Sequence, residues 1–403
     1  MRAPPMVSSI SRPVPQLQCE SDFGIETLPL SQEASFGSWQ REIPEAYWQL
    51  GSDELVTRVR EARASLGDRA VILGHHYQRE DIIQFADERG DSFMLAQYAA
   101  ERPESEYIVF CGVHFMAEAA DILSAAHQQV VLPNMEAGCS MADMAAPADV
   151  HVAWRELGDL FGSTEDLIPV TYMNSAASLK AFCGEHGGVV CTSSNAVKVL
   201  EWAFEQGKRV FFFPDQHLGR NTGHAMGIPL EEMTLWNWRL PAGNLGGAAP
   251  EQLERSRVIL WQGHCSVHQR FTTTQIEEAR ERHPDVQIVV HPECRYDIVQ
   301  AADAIGSTAY IANYVAEAPA GSVIGVGTEI NLVSRLAKEN PDKTVFCLDP
   351  VVCPCSTMYR VHPAYLAWVM ESLAAGHVVN QIVVPEEVQA HARIALERML
   401  ALR

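Results

Sequence analysis

What most constrains this chain is a recurring pattern: a short apolar run stops at a small or turn-forming residue and delivers polar or thiol side chains. Ala70-Val-Ile-Leu-Gly leads into His75-His-Tyr77, Tyr107-Ile-Val-Phe-Cys-Gly into Val113-His114, and Gln129-Val-Val-Leu-Pro into Met135-Glu-Ala-Gly-Cys139. Such runs are strand-length and rich in β-branched residues. With helical stretches such as Asp81 to Arg89 and Met116 to Ala125 between them, they predict β-α-β units with buried parallel strands.

The middle third repeats the scheme. Asp166-Leu-Ile-Pro-Val-Thr leads into Tyr172-Met-Asn174, Gly188-Val-Val into Cys191-Thr-Ser-Ser-Asn195, and Arg209-Val-Phe-Phe-Phe into Pro214-Asp-Gln-His217. In the last third Val258-Ile-Leu-Trp-Gln-Gly leads into His264-Cys-Ser-Val-His268, Val286-Gln-Ile-Val-Val into His291-Pro-Glu-Cys294, and Ser322-Val-Ile-Gly-Val into Gly327-Thr-Glu329. First strands near 70, 167 and 258 give a period of about 90 to 100 residues, the size of a small domain. The expected fold is α/β: three similar three-layer domains with short parallel sheets, related by pseudo-threefold symmetry about a central site.

The expected boundaries are an N-terminal extension over 1–45, then domains over 46–150, 151–250 and 251–403, the last carrying a C-terminal loop and helices. The extension is rich in Pro, Ser and Gln and lacks periodicity. Glu45 to Leu66 has helical spacing and reads as a lead-in helix. Pro241-Ala-Gly-Asn-Leu-Gly-Gly-Ala-Ala-Pro250 reads as the linker between the second and third domains.

Composition removes several function classes. A formal charge of -21, from 51 acids and 30 bases in 403 residues, disfavours nucleic acid and anionic membrane as partners. No apolar run approaches the roughly 18 to 20 residues of a membrane span, and the N-terminus has no signal pattern. The ten cysteines are scattered through the chain, unlike a secreted disulfide framework. A reducing, cytoplasmic setting with a few metal-bound thiolates is expected.

Cys139 lies beside a glycine and a helix start, Cys265 follows Gly263-His264, and Cys353 and Cys355 share the proline-stiffened loop Asp349 to Met358. These thiols are far apart in sequence, unlike the Cys-x-x-Cys pairs of zinc ribbons and ferredoxins, so any metal site must be assembled from distant loops. Three thiolates on a four-iron cluster leave one iron open as a Lewis acid. Cys111, Cys183, Cys191, Cys294 and Cys347 lie in apolar or helical runs and read as core thiols. His75, His268 and His291 follow strands, and Tyr77, Tyr172, Asn174, Ser92, Ser193 and Thr308 hold strand-end or helix-start positions, where free amides favour a carboxylate or phosphate. For any one of these hydroxyls taken alone, plain capping is the better explanation. In His291-Pro-Glu293 a proline stiffens the link between an imidazole and a carboxylate suited to acid and base work.

Taken together, Gly74-His-His-Tyr-Gln, Gly90-Asp-Ser, Gly112-Val-His-Phe-Met-Ala-Glu, Glu136-Ala-Gly-Cys-Ser-Met-Ala-Asp, Tyr172-Met-Asn, Cys191-Thr-Ser-Ser-Asn-Ala, Pro214-Asp-Gln-His-Leu-Gly, Gly263-His-Cys-Ser-Val-His, His291-Pro-Glu-Cys, Gly306-Ser-Thr and Gly327-Thr-Glu resemble the quinolinate synthase family. The match runs from about Val71 to the C-terminus, in order.

The resemblance implies an enzyme of NAD biosynthesis that condenses iminoaspartate with dihydroxyacetone phosphate to quinolinate, releasing phosphate and water. It implies three α/β domains around a [4Fe-4S] cluster held by Cys139, Cys265 and Cys355, the last chosen over Cys353 by its distance from Met358. By the same resemblance the pocket comprises His75, Tyr77, Ser92, Tyr172, Asn174, Ser193, His268, His291, Glu293, Ser307 and Thr308. Glu293 is expected as the main proton carrier with Tyr77 and His291 assisting. Tyr172 and Asn174 are expected to place the triose, and Ser193 and Thr308 to hold carboxylates. A transient contact with L-aspartate oxidase and a monomeric or homodimeric state are further expectations. An iron-sulfur sensor and a different cluster-dependent dehydratase are the competing classes.

Overall fold

The protein is described from a computed structural model covering residues 43–351 and 354–402. Most of the expected 1–45 extension, and Cys353, lie outside the described residues. Among the described residues fourteen strands form. They are β1 (Ala70–His75), β2 (Glu88–Gly90), β3 (Tyr107–Cys111), β4 (Gln129–Val131), β5 (Leu167–Tyr172), β6 (Val189–Cys191), β7 (Arg209–Phe213), β8 (Met233–Trp236), β9 (Val258–Trp261), β10 (Gln287–Val290), β11 (Ala304–Ile305), β12 (Val323–Gly327), β13 (Thr344–Cys347) and β14 (Gln381–Ile382).

They build three sheets, ordered β14-β4-β3-β1-β2, β6-β5-β7-β9-β8 and β11-β10-β12-β13. Every pairing is parallel except that of β14 with β4. β1, β3, β5 and β9 are buried at every position. This explains why they read as continuous apolar runs and not as alternating ones.

The sheets share one wiring. In the first and third, the strand that is second in sequence lies outside the first, followed by the third and the fourth. The second sheet begins the same way, but its fourth place is taken by β9, with β8 at the edge. Here the sequence reading is corrected. Val258–Trp261, expected to open the third domain, pairs with β7 and β8, and the third sheet opens at Gln287. The supposed linker 241–250 therefore sits inside the second unit, between β8 and the helix Pro250–Arg255. Backbone N–H groups of Gly243 and Leu245 donate to the Glu156 carboxylate and pin it there.

Two helix expectations also change. Asp81 to Arg89 is a single turn, Glu80–Ile83, and then edge strand β2. The lead-in splits into a 3-10 turn, Glu45–Tyr47, and the helix Ser52–Leu66. The last helix, Glu386–Ala401, packs on helix Ala177–Glu185 of the second unit. The approach is so close that a Cβ on Gly184 would lie 1.9 Å from the His391 carbonyl oxygen. Only glycine fits there. Among the described residues no helix is long and apolar enough to cross a membrane.

Candidate active site

Parallel sheets present ligands at the carboxyl ends of their strands, where the strand order reverses. All three sheets use that end here. The carboxyl ends of the first strands and the loops after them carry His75 and Tyr77, Tyr172 and Asn174, and His291 and Glu293. Those after the second strands carry Asp91 and Ser92, Thr192 and Ser193, and Ser307 and Thr308. After β4, β9 and β13, the strands in the fourth place, come Cys139, Cys265 and Cys355, one thiol per sheet. This corrects the assignment of Cys265 to the third domain.

These loops meet at one cavity. Of the residues expected from sequence, His75, Tyr77, Ser92, Tyr172, Asn174, Ser193, His291, Glu293, Thr308 and the three thiols line it. His268 and Ser307 are absent from its lining. His268 is fully buried and bonded to the lining residues Tyr77 and Glu293. Ser307 caps the helix Thr308–Glu317 by accepting from the Tyr310 N–H, the plain reading of a Ser at that position. The Thr308 hydroxyl and the Asn174 side-chain oxygen are buried without a hydrogen-bond partner. Buried polar atoms are normally paired, so both are suited to a bound ligand.

A hydrogen-bonded chain runs across the site. Tyr172 donates its hydroxyl to Glu293 Oε1 at 2.6 Å, and Glu293 Oε2 lies 2.8 Å from His268 Nδ1. His268 Nε2 is 3.1 Å from Thr328 Oγ1, itself 2.6 Å from the Tyr77 hydroxyl. With the carboxylate ionised, Nδ1 carries the hydrogen. In the neutral ring Nε2 then accepts from Thr328, which accepts from Tyr77. His291 stacks on His268 with ring centres 4.6 Å apart. Its turn is held from the second unit by Asn221, whose side-chain nitrogen donates to the Pro292 and Cys294 carbonyls, both at 2.8 Å.

The electrostatics fit this direction. Burial drives the Glu293 carboxyl upward, but His268, His291 and the bonds from His268 and Tyr172 outweigh it and hold the group below the usual carboxylate range. Burial, then the Glu293 charge, pushes the Tyr77 and Tyr172 hydroxyls well above theirs. Burial lowers His291 to about 3, which keeps that ring neutral. The site thus holds the Glu293 carboxylate among protonated tyrosines.

Sequence reasoning gave no role to Asp91 and Thr328. Asp91 lines the cavity, caps the helix Ser92–Ala100 and accepts from Ser194 at 2.5 Å, which ties the first unit's site loop to the second's. Both residues stood in quoted motifs, and an Asp immediately before a helix start was the available signal. Thr328 offered none locally.

The cysteines fall into two groups. Cys111, Cys183, Cys191, Cys294 and Cys347 are buried, and Cys139, Cys265 and Cys355 are half-buried and free. Burial raises Cys139 to about 12 and also raises Cys265 and Cys355. The Cys355 charge raises both Cys139 and Cys265, and the Cys139 charge raises Cys265, so the three lie within electrostatic reach. Bare thiolates are disfavoured in such a place, and cationic metal offsets that cost. Among the described residues the one close donor triad suited to a single ion is Cys265, His268 and Glu293, within 4.8 Å of one another. The three thiols are not so tightly gathered, which suits a multi-iron body better than one ion.

Three parallel sheets that converge on a buried acid and base chain and three thiols define an α/β enzyme. The sequence pattern of the quinolinate synthetase A protein family matches residues 57–401. A quinolinate synthase of Corynebacterium glutamicum is 60% identical over 363 residues, covering 90% of this chain and 91% of that one. Those of Anoxybacillus flavithermus and Streptomyces coelicolor are 53% and 54% identical, covering 89% and 87% of this chain and 96% and 88% of their own. The chain belongs to the quinolinate synthase family.

Proposed function

We propose that this cavity condenses iminoaspartate with dihydroxyacetone phosphate to quinolinate, in the cytoplasm, with a [4Fe-4S] cluster held by Cys139, Cys265 and Cys355. The observation that carries this reading is the delivery of one thiol from the equivalent strand of each sheet into the cavity that also holds the acid and base chain. When bound, such a cluster supplies an iron without a protein ligand, a Lewis acid for a carboxylate or hydroxyl. No nucleic acid is involved, and contact with L-aspartate oxidase stays a separate expectation.

The chain's own residues supply proton transfer and orientation. A proton leaving the Tyr77 hydroxyl passes through Thr328 to His268 Nε2, and the Glu293 carboxylate at Nδ1 stabilises the imidazolium that forms. Tyr77 oxygen then takes a proton from the substrate carbon, and the reverse flow protonates a leaving oxygen. Sequence reasoning made Glu293 the main carrier. With both its oxygens engaged, it acts through His268 and Tyr172. Tyr172 and Asn174 place the triose, His75 and His291 offer neutral rings to polar groups, and Ser92, Ser193 and Thr308 hold anionic groups near helix starts.

The test is anaerobic conversion of iminoaspartate and dihydroxyacetone phosphate to quinolinate by the iron-loaded full chain. Quinolinate formed in proportion to enzyme is expected. Its absence from a fully loaded preparation would refute the reading.

A further inference from the structure

Glu329 follows Thr328 at the end of β12 and caps the helix Ile330–Glu339. Caps are commonly Ser, Thr, Asp or Asn, whose short side chains reach the first helical N–H groups. Other site helices here follow that rule, with Asp91, Asp215 and Ser307 in the capping place. Glu329 caps its helix with a longer side chain than these, and it is fully buried.

The longer side chain does more than cap. Oε2 accepts from Asn331 N at 2.8 Å, while Oε1 accepts from Asn331 Nδ2 at 2.8 Å and from the backbone N–H of Cys355 at 3.1 Å. One buried carboxylate thus joins the helix start to the cysteine loop. Residue 328, one step earlier, carries the hydroxyl between Tyr77 and His268.

The structure assigns Glu329 as a positioning residue that sets Cys355 in register with the Tyr77–Thr328–His268 chain, so that its reach to the Cys355 N–H, and not its charge, keeps the iron in place. This rests on Cys355 being an iron ligand, the reading given above. An Asp in its place would cap the helix and keep the charge but stop a methylene short of Cys355. A Gln would keep the reach and lose the charge.

The experiment compares iron release to a chromophoric ferrous chelator, under argon, from iron-loaded wild type, Glu329→Asp, Glu329→Gln, Asn331→Ala and Cys355→Ser, with thermal unfolding of each. Loss of the buried bond to the Cys355 N–H should speed release from Glu329→Asp by about tenfold or more, whereas Glu329→Gln, which can still accept that bond, should stay within about twofold of wild type. Asn331→Ala, which keeps the bond to Cys355, should release iron at the wild-type rate even if it melts earlier. Equal rates for Glu329→Asp and wild type, fast release from Glu329→Gln, or fast release from Asn331→Ala would each overturn the inference. Full iron retention by Cys355→Ser would remove the ligand assignment and this inference with it. Iron loss there, alongside wild-type release from Glu329→Asp, sinks the inference alone.

Discussion

Replacing Glu293 by Gln tests the acid and base chain with the least change of shape. The carboxylate accepts from Tyr172 at 2.6 Å and meets His268 Nδ1 at 2.8 Å, with both partners buried. An amide oxygen can keep the Tyr172 bond, so the fold loses the difference between charged and neutral hydrogen bonds, about 1 to 3 kcal/mol. Catalysis loses more, because nothing then stabilises a proton arriving at His268. General acid and base contributions of about 10²- to 10⁴-fold set the expected fall in turnover. Glu293 is not one of the three thiols, so iron content should stay at the wild-type value. The assay is single-turnover quinolinate formation on matched iron-loaded samples, alongside iron analysis. Turnover above about a tenth of wild type would remove Glu293 from the proton path, given the general acid and base range. Iron loss matching the activity loss would mean that it acts by holding the metal instead.

Four further outcomes follow from the same geometry. Cys265→Ser should lose the brown absorbance together with activity, and a retained cluster would reassign that ligand. Thr328→Val, which removes the bridging hydroxyl and leaves only the 3.4 Å contact between Tyr77 and His268, should lower turnover about tenfold or more with iron unchanged, and an unaltered rate would mean that the proton bypasses residue 328. Asn221→Ala removes two 2.8 Å bonds to the His291 turn; urea unfolding should show a loss of about 1 to 3 kcal/mol, and no loss would show that the turn holds itself. Lys180 is fully buried, and burial lowers it from 10.5 to about 8. Between those values the unfolded chain binds the proton and the folded one does not, so stability gains as pH rises through that window. Wild type should therefore gain up to roughly 3 kcal/mol over Lys180→Met from pH 8 to 10.5, and a pH-independent difference would contradict the burial argument.

Local pattern was enough to reveal the strands that matter most. β1, β5 and β10 announce themselves as apolar runs because both their faces are covered, and the residues that follow them reach the cavity as expected. Most of the thiols sorted for a related reason, since Cys111, Cys183, Cys191 and Cys347 lie on strands or in a helix and are core, whereas Cys139, Cys265 and Cys355 lie in glycine- or proline-bearing loops and are half-buried; Cys294, buried in the turn after β10, is not explained by this rule. What local pattern could not carry was partnership. Val258–Trp261 has the composition of a first strand, and only its pairing with β7 puts it in the second sheet. Glu88–Gly90 has too little apolar content to read as a strand and is one by virtue of its pairing with β1. Thr328 was hidden likewise. A threonine after a strand is unremarkable until Tyr77 and His268 arrive from elsewhere in the chain.

The antiparallel strand β14 sets an order of events in the cell. Gln381 completes the first sheet by pairing with Val131, so that sheet has an open edge until β14, about 250 residues after β4, has been made. A stalled or prematurely ended chain would expose an unpaired strand edge, a template for aggregation and a mark for proteolysis.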